Sequence, residues 1–170
     1  MNTPFDELVL GRYFEDMPLG LVQHSAGRTI SDADILLFGG LTGDLMQVHT
    51  DDEYCREREF GGRIAHGLLG LSMAQGLMLR TNYTQGTGVA SLGWDEWRFV
   101  APIRIGDTIR VRWTIRERRE SRSRPDMGIV AEFIEVLNQH GAVVQHGIHR
   151  TMIRRRPIGT STPATEGTLG

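Results

Sequence analysis

Apolar and polar side chains alternate strictly between Thr108 and Arg116, which predicts a β-strand with one face buried. The inward face would carry large apolar residues, namely Ile109, Val111, Trp113 and Ile115. Turn residues separate this strand from further predicted strands at Gly88–Val100, about Gly128–Leu137 and Ala142–Arg154. The second half of the chain therefore predicts an antiparallel sheet.

A helix is predicted before these strands, and nearly every residue from Leu68 to Leu79 is apolar. A helix that is apolar on all its faces has to be buried. A helix needs about 20 residues to cross a bilayer, and this run is shorter. We therefore expect other parts of the chain to wrap around this helix.

The chain before the apolar helix predicts a strand and then a short helix. The strand would run from Leu21 to Ile30. Ser31 is a suitable N-cap for the helix, and Asp34 three positions later completes a variant of the capping box. Gly39 and Gly40 indicate that this helix ends there or shortly afterwards.

A second capping box is indicated by Thr50 and Glu53, which predicts another short helix through about Glu57. The residues from Gly43 to His49 would then form a loop between two helical segments. This loop holds the polar residues on which the functional argument depends.

The order of elements predicts an α+β domain in which an antiparallel sheet curls around one long buried helix. We assign this domain to residues 21–156. Residues 1–20 are expected to form an N-terminal arm, and residues 157–170, rich in Gly, Thr and Pro, a disordered tail. The arm offers aromatic anchors in Phe5, Tyr13 and Phe14.

Composition excludes several kinds of site. All 19 basic residues are Arg, so there is no Lys for a Schiff base, a P-loop or a Ser-Lys dyad. The only cysteine, Cys55, cannot form an internal disulfide, and the N-terminus lacks a signal-peptide pattern. We therefore expect a cytoplasmic protein that binds no membrane.

Charge is distributed unevenly although the formal net charge is only -2. Residues 1–97 carry 6 Arg against 14 acidic residues, whereas residues 98–156 carry 13 Arg against 6. The basic half could meet phosphates of a nucleotide-bearing substrate, as could the run Arg154-Arg155-Arg156, or both could be solvated surface. Nucleic-acid binding is not expected, because basic and aromatic residues are not combined in one patch.

An acid and an imidazole lie five residues apart in the predicted loop, as Asp44 and His49. Such residues are often caps or surface groups, but here His66-Gly67 opens the apolar helix shortly afterwards. A backbone N–H at a helix start can hold an oxyanion, aided by the helix dipole. The spacing therefore suits proton transfer next to a carbonyl.

Other polar residues permit more than one interpretation. His66 could act as a base, or satisfy backbone groups at the helix start. Ser72 and Gln75 on the apolar helix could face an acyl pocket or hydrogen-bond within the core. No metal site is expected, because His146 and His149 are three apart on a predicted strand and so point to opposite faces.

The run Gly43-Asp44-x-x-x-x-His49-x-Asp51, followed by Ile64-x-His66-Gly67, resembles the MaoC-like hot-dog family of (R)-specific enoyl-CoA hydratases. The later segment Phe99–Thr108 resembles that family's entry into its next strand. The match covers roughly Arg28 to Arg116. It implies a hot-dog fold and reversible hydration of trans-2-enoyl-CoA thioesters to (R)-3-hydroxyacyl-CoA, that is, a hydro-lyase of fatty acyl-CoA metabolism.

The resemblance also implies roles for individual residues. Asp44 and His49 would activate water, and the amide at Gly67 would bind the thioester oxygen. Substrate contacts are expected from Arg63, Ile64, His66 and Ser72. The family uses no metal or organic cofactor, coenzyme A being part of the substrate. Its members are homodimers or higher homo-oligomers.

One departure from the family motif leaves the activity open. Met46 and Gln47 stand where the usual hydratase motif has Asn and Pro, and Met cannot make the polar contacts of that Asn. Gln47 could replace it from the neighbouring position. Alternatives are a thioesterase on the same fold and a non-catalytic acyl-CoA-binding protein.

Overall fold

The computed structural model describes residues 11–157, which form an antiparallel sheet packed against one long helix. Strands follow one another in the spatial order β1-β4-β5-β6-β3, and β2 also pairs with β4. The strands are β1 (Val22–His24), β2 (Arg28–Thr29), β3 (Gly88–Phe99), β4 (Thr108–Glu120), β5 (Met127–Leu137) and β6 (Val143–Arg154). The helices are α1 (Asp32–Thr42), α2 (Gln47–Thr50), α3 (Asp52–Arg56) and α4 (Gly67–Leu79).

The predicted alternation in β4 is confirmed, since its inward apolar side chains are fully buried and form part of the core. The strand continues past the predicted end at Arg116 to Glu120. Its neighbours β5 and β6 pair with it and with each other along most of their length. These three strands provide the surface on which α4 lies.

Helix α4 is less enclosed than its uniform apolarity predicts. Leu69, Met73 and Leu77 are buried against the sheet. Leu68, however, is 59% exposed and Leu79 is 49% exposed. The described part of the chain therefore covers one side of the helix and leaves apolar side chains uncovered on the other. Among the described residues, no helix is long and apolar enough to cross a membrane.

The first predicted strand is divided into β1 and β2, because Ser25 leaves the regular ladder. Its N–H donates to the Val111 carbonyl at 2.9 Å, and its hydroxyl accepts from the Val111 N–H at 2.8 Å. A side chain thus replaces a backbone acceptor, as short polar residues can. The chain resumes pairing at Arg28.

The described part of the predicted arm contributes to the core. Phe14 and Met17 are buried, and the Phe14 ring lies against Gly128, where a Cβ atom would overlap the ring. Arg118 covers the other face of this ring at 4.3 Å. Of the other predicted anchors, Tyr13 is half-buried. Phe5 lies outside the described part of the chain, as do residues 158–170 of the predicted tail.

The edge strand β3 is irregular, with register shifts between Gly88 and Ala90, Ser91 and Gly93, and Asp95 and Arg98. The third shift changes which way the side chains face. The Trp94 and Trp97 rings lie 5.0 Å apart on the same face, although strict alternation would place residues three apart on opposite faces. The register shift adds a residue to the strand and breaks that alternation.

A buried polar network lies between the sheet and the end of α4. Glu132 is 1% exposed, and its carboxylate accepts hydrogen bonds from His149 Nδ1 at 2.9 Å and the Thr151 hydroxyl at 3.2 Å. Ser91 Oγ lies 2.8 Å from the other nitrogen of His149. Burial and the nearby Glu132 raise the pKa of Tyr83 well above its usual value.

Removing the carboxylate from this network should destabilise the fold strongly. We expect Glu132→Ala to lower the free energy of unfolding by about 3–5 kcal/mol, because it leaves the buried donors of His149 and Thr151 without their acceptor. Glu117→Ala, which breaks the exposed ion pair with Arg150, should cost less than about 1 kcal/mol. Urea unfolding of both variants measures this, and equal losses would contradict the assignment.

Candidate active site

The loop carrying Asp44 begins where α1 ends. As predicted, Ser31 and Asp34 form the capping box at the start of α1. The helix ends at Thr42, and Gly43 follows in the left-handed conformation with φ 81°. A residue with a side chain adopts this conformation only at a cost. The turn at Gly43 directs the next residue, Asp44, towards the side of α4.

His49 is placed by the one-turn helix α2 rather than by an open loop. The predicted capping box at Thr50 and Glu53 is wrong, because Asp51 is the N-cap of α3 and accepts from the Tyr54 N–H at 2.9 Å. The Thr50 hydroxyl instead donates to backbone carbonyls in the preceding turn. This turn leaves His49 buried on the side that faces α4.

The hydrogen bond of His49 determines which ring nitrogen is free. His49 Nδ1 lies 2.8 Å from the Ile64 carbonyl oxygen. A carbonyl can only accept, so Nδ1 carries the hydrogen, and in the neutral ring Nε2 has the lone pair. His49 is therefore held in the tautomer that lets Nε2 act as a base.

His66, the N-cap residue of α4, connects Asp44 with His49. It is 3% exposed, and its Nε2 donates to the Asp44 carbonyl oxygen at 2.8 Å. Its ring stacks on His49 with 3.8 Å between centroids and 27° between planes. Nδ1 of His66 has no hydrogen-bond partner among the residues described. His66 thus fixes the loop of Asp44 and the ring of His49 together.

These groups converge on one cavity of about 430 Å³. Polar side-chain atoms of Asp44, His49 and His66 all lie within 4.8 Å of one another. Gly67 borders the same cavity, and the first N–H groups of an α-helix have no partner within the helix. The other walls are mostly apolar and come from Phe38, Phe60, Ile64, Phe99, Val100, Ala101, Pro102 and Ile103.

The same cluster offers donor atoms for a metal ion, but its geometry favours proton transfer. His49 and His66 each use one ring nitrogen on a backbone carbonyl. Each ring therefore has one nitrogen left for a ligand, and the one on His66, Nδ1, is itself buried. The absence of a metal cofactor stays a prediction.

Two residues that the sequence did not single out shape the start of α4. Gln145 on β6 is buried, donates from Nε2 to the Gly67 carbonyl at 3.0 Å, and accepts from Trp97 Nε1 at 3.3 Å. The Phe99 ring covers Gly67, where a Cβ atom would lie 2.8 Å from it. A Cβ atom on Gly70 would overlap the Gln145 amide. A polar residue on the inward face of β6 was the available sequence signal.

Two predicted substrate contacts lie outside this cavity. The Arg63 guanidinium pairs with Asp32 and Asp52, both at 2.7 Å, and these hydrogen bonds raise its pKa. Arg63 therefore joins α1 to α3 and does not face the cavity. Ser72 lines a separate groove, and its hydroxyl donates to the Leu68 carbonyl. Of the predicted contacts, Ile64 and His66 do border the cavity.

Known proteins that are similar to this chain are found by sequence and by structure. The family model described as "MaoC like domain" matches residues 16–136. An (R)-specific enoyl-CoA hydratase of Rhodospirillum rubrum is 36% identical over 110 residues, 65% of this chain and 73% of that protein. Protein MaoC of Klebsiella aerogenes is 35% identical over 107 residues, 63% of this chain but only 31% of that protein.

A solved structure gives the same result for the fold. The MaoC-like dehydratase of Rhodospirillum rubrum superposes with a TM-score of 0.76 at 30% identity. The superposition covers 87% of this chain and 100% of that one. Together with other structural neighbours, it confirms the α+β hot-dog fold predicted from the sequence.

The support that Gln145 gives to the start of α4 can be measured. We expect Gln145→Leu to lower the free energy of unfolding by about 1–3 kcal/mol, because it leaves the buried Trp97 N–H without an acceptor. Gln85→Leu, at an exposed position, should change it by less than about 0.5 kcal/mol. Equal stability of the two variants in denaturant would disprove a structural role for Gln145.

Proposed function

This chain belongs to the MaoC-like domain family, and we propose that it reversibly hydrates an enoyl-CoA thioester to a 3-hydroxyacyl-CoA. Relatives named as hydratases and dehydratases give the family hydro-lyase activity. The convergence of Asp44, His49 and the free end of α4 on one cavity is the observation that carries the proposal.

In the proposed mechanism, His49 Nε2 removes a proton from water, whose oxygen adds to the β-carbon of the conjugated thioester. Asp44, as a carboxylate, accepts a hydrogen bond from the same water and orients it. Negative charge develops on the thioester oxygen and is stabilised by the Gly67 N–H at the positive end of α4. The proton held by His49 then passes to the α-carbon, so that one water is added in all.

The unusual motif residues bear on whether this chain has kept the activity. Met46 is 65% exposed, Gln47 is also exposed, and neither borders the cavity. The loop is held instead by the Thr50 hydroxyl and by His66. Other polar groups hold the backbone around Asp44 in place, so the loop does not need the usual Asn. This favours an active hydratase over a silent relative.

We also propose that two copies of the chain form a homodimer. The sheet ends at β3, a strand of 12 residues whose outer edge has no partner strand among the described residues. Leu92 on this strand and Leu68 and Leu79 on α4 are exposed apolar residues. A second copy would cover them, as exposed apolar patches of this kind require.

The chemical proposal is tested on crotonyl-CoA. Asp44→Asn and His49→Ala should each lower kcat for hydration by about 10²–10⁴-fold, because each removes one part of the proton transfer. Loss of the absorbance of the conjugated thioester measures the rate. A thiol reagent detects any free coenzyme A, whose release would identify a thioesterase instead.

The controls for these variants are Asp95→Asn and His24→Ala, both at exposed positions away from the cavity. They should keep wild-type rates, and circular dichroism should show all four variants folded. If Asp44→Asn and His49→Ala turn over at nearly normal rates, or the wild type hydrates no enoyl-CoA, the mechanism is wrong.

The assembly is tested separately by light scattering after size exclusion. The wild type should have the mass of a dimer, and Leu79→Glu should weaken association by at least about 100-fold, because the symmetric contact places two carboxylates against apolar surface. Leu19→Glu, exposed elsewhere, should remain dimeric. A monomeric wild type, or a dimeric Leu79→Glu variant, would rule out this interface.

A further inference from the structure

A second apolar groove lies next to the catalytic cavity, between α1 and α4. Its volume is about 470 Å³, and α1 contributes Leu37 and Leu41 while α4 contributes Leu69, Met73 and Leu77. Its charged lining residues are Arg28, which is paired with Asp34, and Arg80. The rest of the lining is mostly apolar, which suits a hydrocarbon chain.

Among the described residues, Phe38 alone lines both the cavity and the groove. Its ring centroid lies 5.1 Å from that of His66. It is half-buried and packs against the core. One aromatic side chain thus forms the wall between the two spaces.

The backbone holds Phe38 firmly in this position. Its neighbours Ile35 and Gly39 on α1 are buried, so the helix cannot rotate to carry the ring away. The Phe38 carbonyl also accepts from the Thr42 hydroxyl at 2.8 Å. A half-buried aromatic ring on a fixed helix is a rigid boundary.

We propose that Phe38 limits the length of the acyl chain that this enzyme accepts, so that its substrates are short-chain enoyl-CoA thioesters. The inference rests on the proposed function. With the reacting carbons between Asp44, His49 and Gly67, a short chain fits before the Phe38 ring. A longer chain meets the ring, although apolar space lies directly behind it.

The test measures kcat/KM for trans-2-enoyl-CoA thioesters from crotonyl to decenoyl. The wild type should prefer crotonyl-CoA and lose activity steeply as the chain lengthens. Phe38→Ala should join the cavity to the groove, and each further buried methylene should then raise kcat/KM about fourfold. The ratio of decenoyl to crotonyl activity should rise at least about 10-fold.

Two further variants show whether the effect of Phe38→Ala comes from a simple loss of folding. Phe38→Leu keeps an apolar side chain in the wall and should shift the preference in the same direction, by less. Leu36→Ala is also on α1 but is 48% exposed and borders neither the cavity nor the groove, so it should keep the wild-type profile. Calorimetric binding of saturated acyl-CoA of the same lengths gives a readout that needs no turnover.

The outcomes separate this inference from the proposed function. If the wild type handles decenoyl-CoA as well as crotonyl-CoA, or if Phe38→Ala lowers all lengths equally, Phe38 does not set chain length, even though hydration is confirmed. If the wild type hydrates nothing, the proposed function fails, and the calorimetric profile alone decides the role of Phe38.

Discussion

The hydrogen bond from His66 to the loop of Asp44 helps to join the two segments from which the cavity is built. His66, at the start of α4, donates to the backbone of Asp44, which is 22 residues earlier in the chain. The same ring stacks on His49, so one buried side chain positions a carboxylate, an imidazole and a helix terminus together. Among the described residues, Nδ1 of His66 has no hydrogen-bond partner, at a cost of about 1–3 kcal/mol, and a buried polar atom left unpaired in this way is often found at a functional site.

The start of α4 is in turn fixed by the close contacts that two of its glycines permit. Gly67 and Gly70 lie one turn apart on the helix, and the missing side chains make room for Phe99 and Gln145. The sheet therefore approaches the helix backbone closely at the end where the proposed mechanism places an N–H group against the thioester oxygen. At the opposite end, the Glu132 network joins the sheet to the core. Sheet and helix together hold the loop that carries Asp44.

Local signals in the sequence predicted much of this structure, and contacts between distant residues explain what they missed. The start of α1, the buried face of β4 and the pairing of Asp44 with His49 depend on neighbouring residues. The face of Trp97 depends on a bulge that leaves no mark in the hydrophobic pattern. Gln145 reaches Gly67 across 78 residues, and Arg63 meets its carboxylates only after folding.

The irregular backbone of β3 has a consequence for how the sheet can be extended. Its three register shifts, together with the positive φ angles of Gly93 and Glu96, bend the outer edge away from a flat strand. A straight strand from an unrelated polypeptide would find few backbone N–H and C=O groups along such an edge that are aligned for hydrogen bonding with it. Exposed edges ordinarily invite fibrils, and this one discourages indiscriminate cross-β growth while remaining compatible with a strand of the same bent shape.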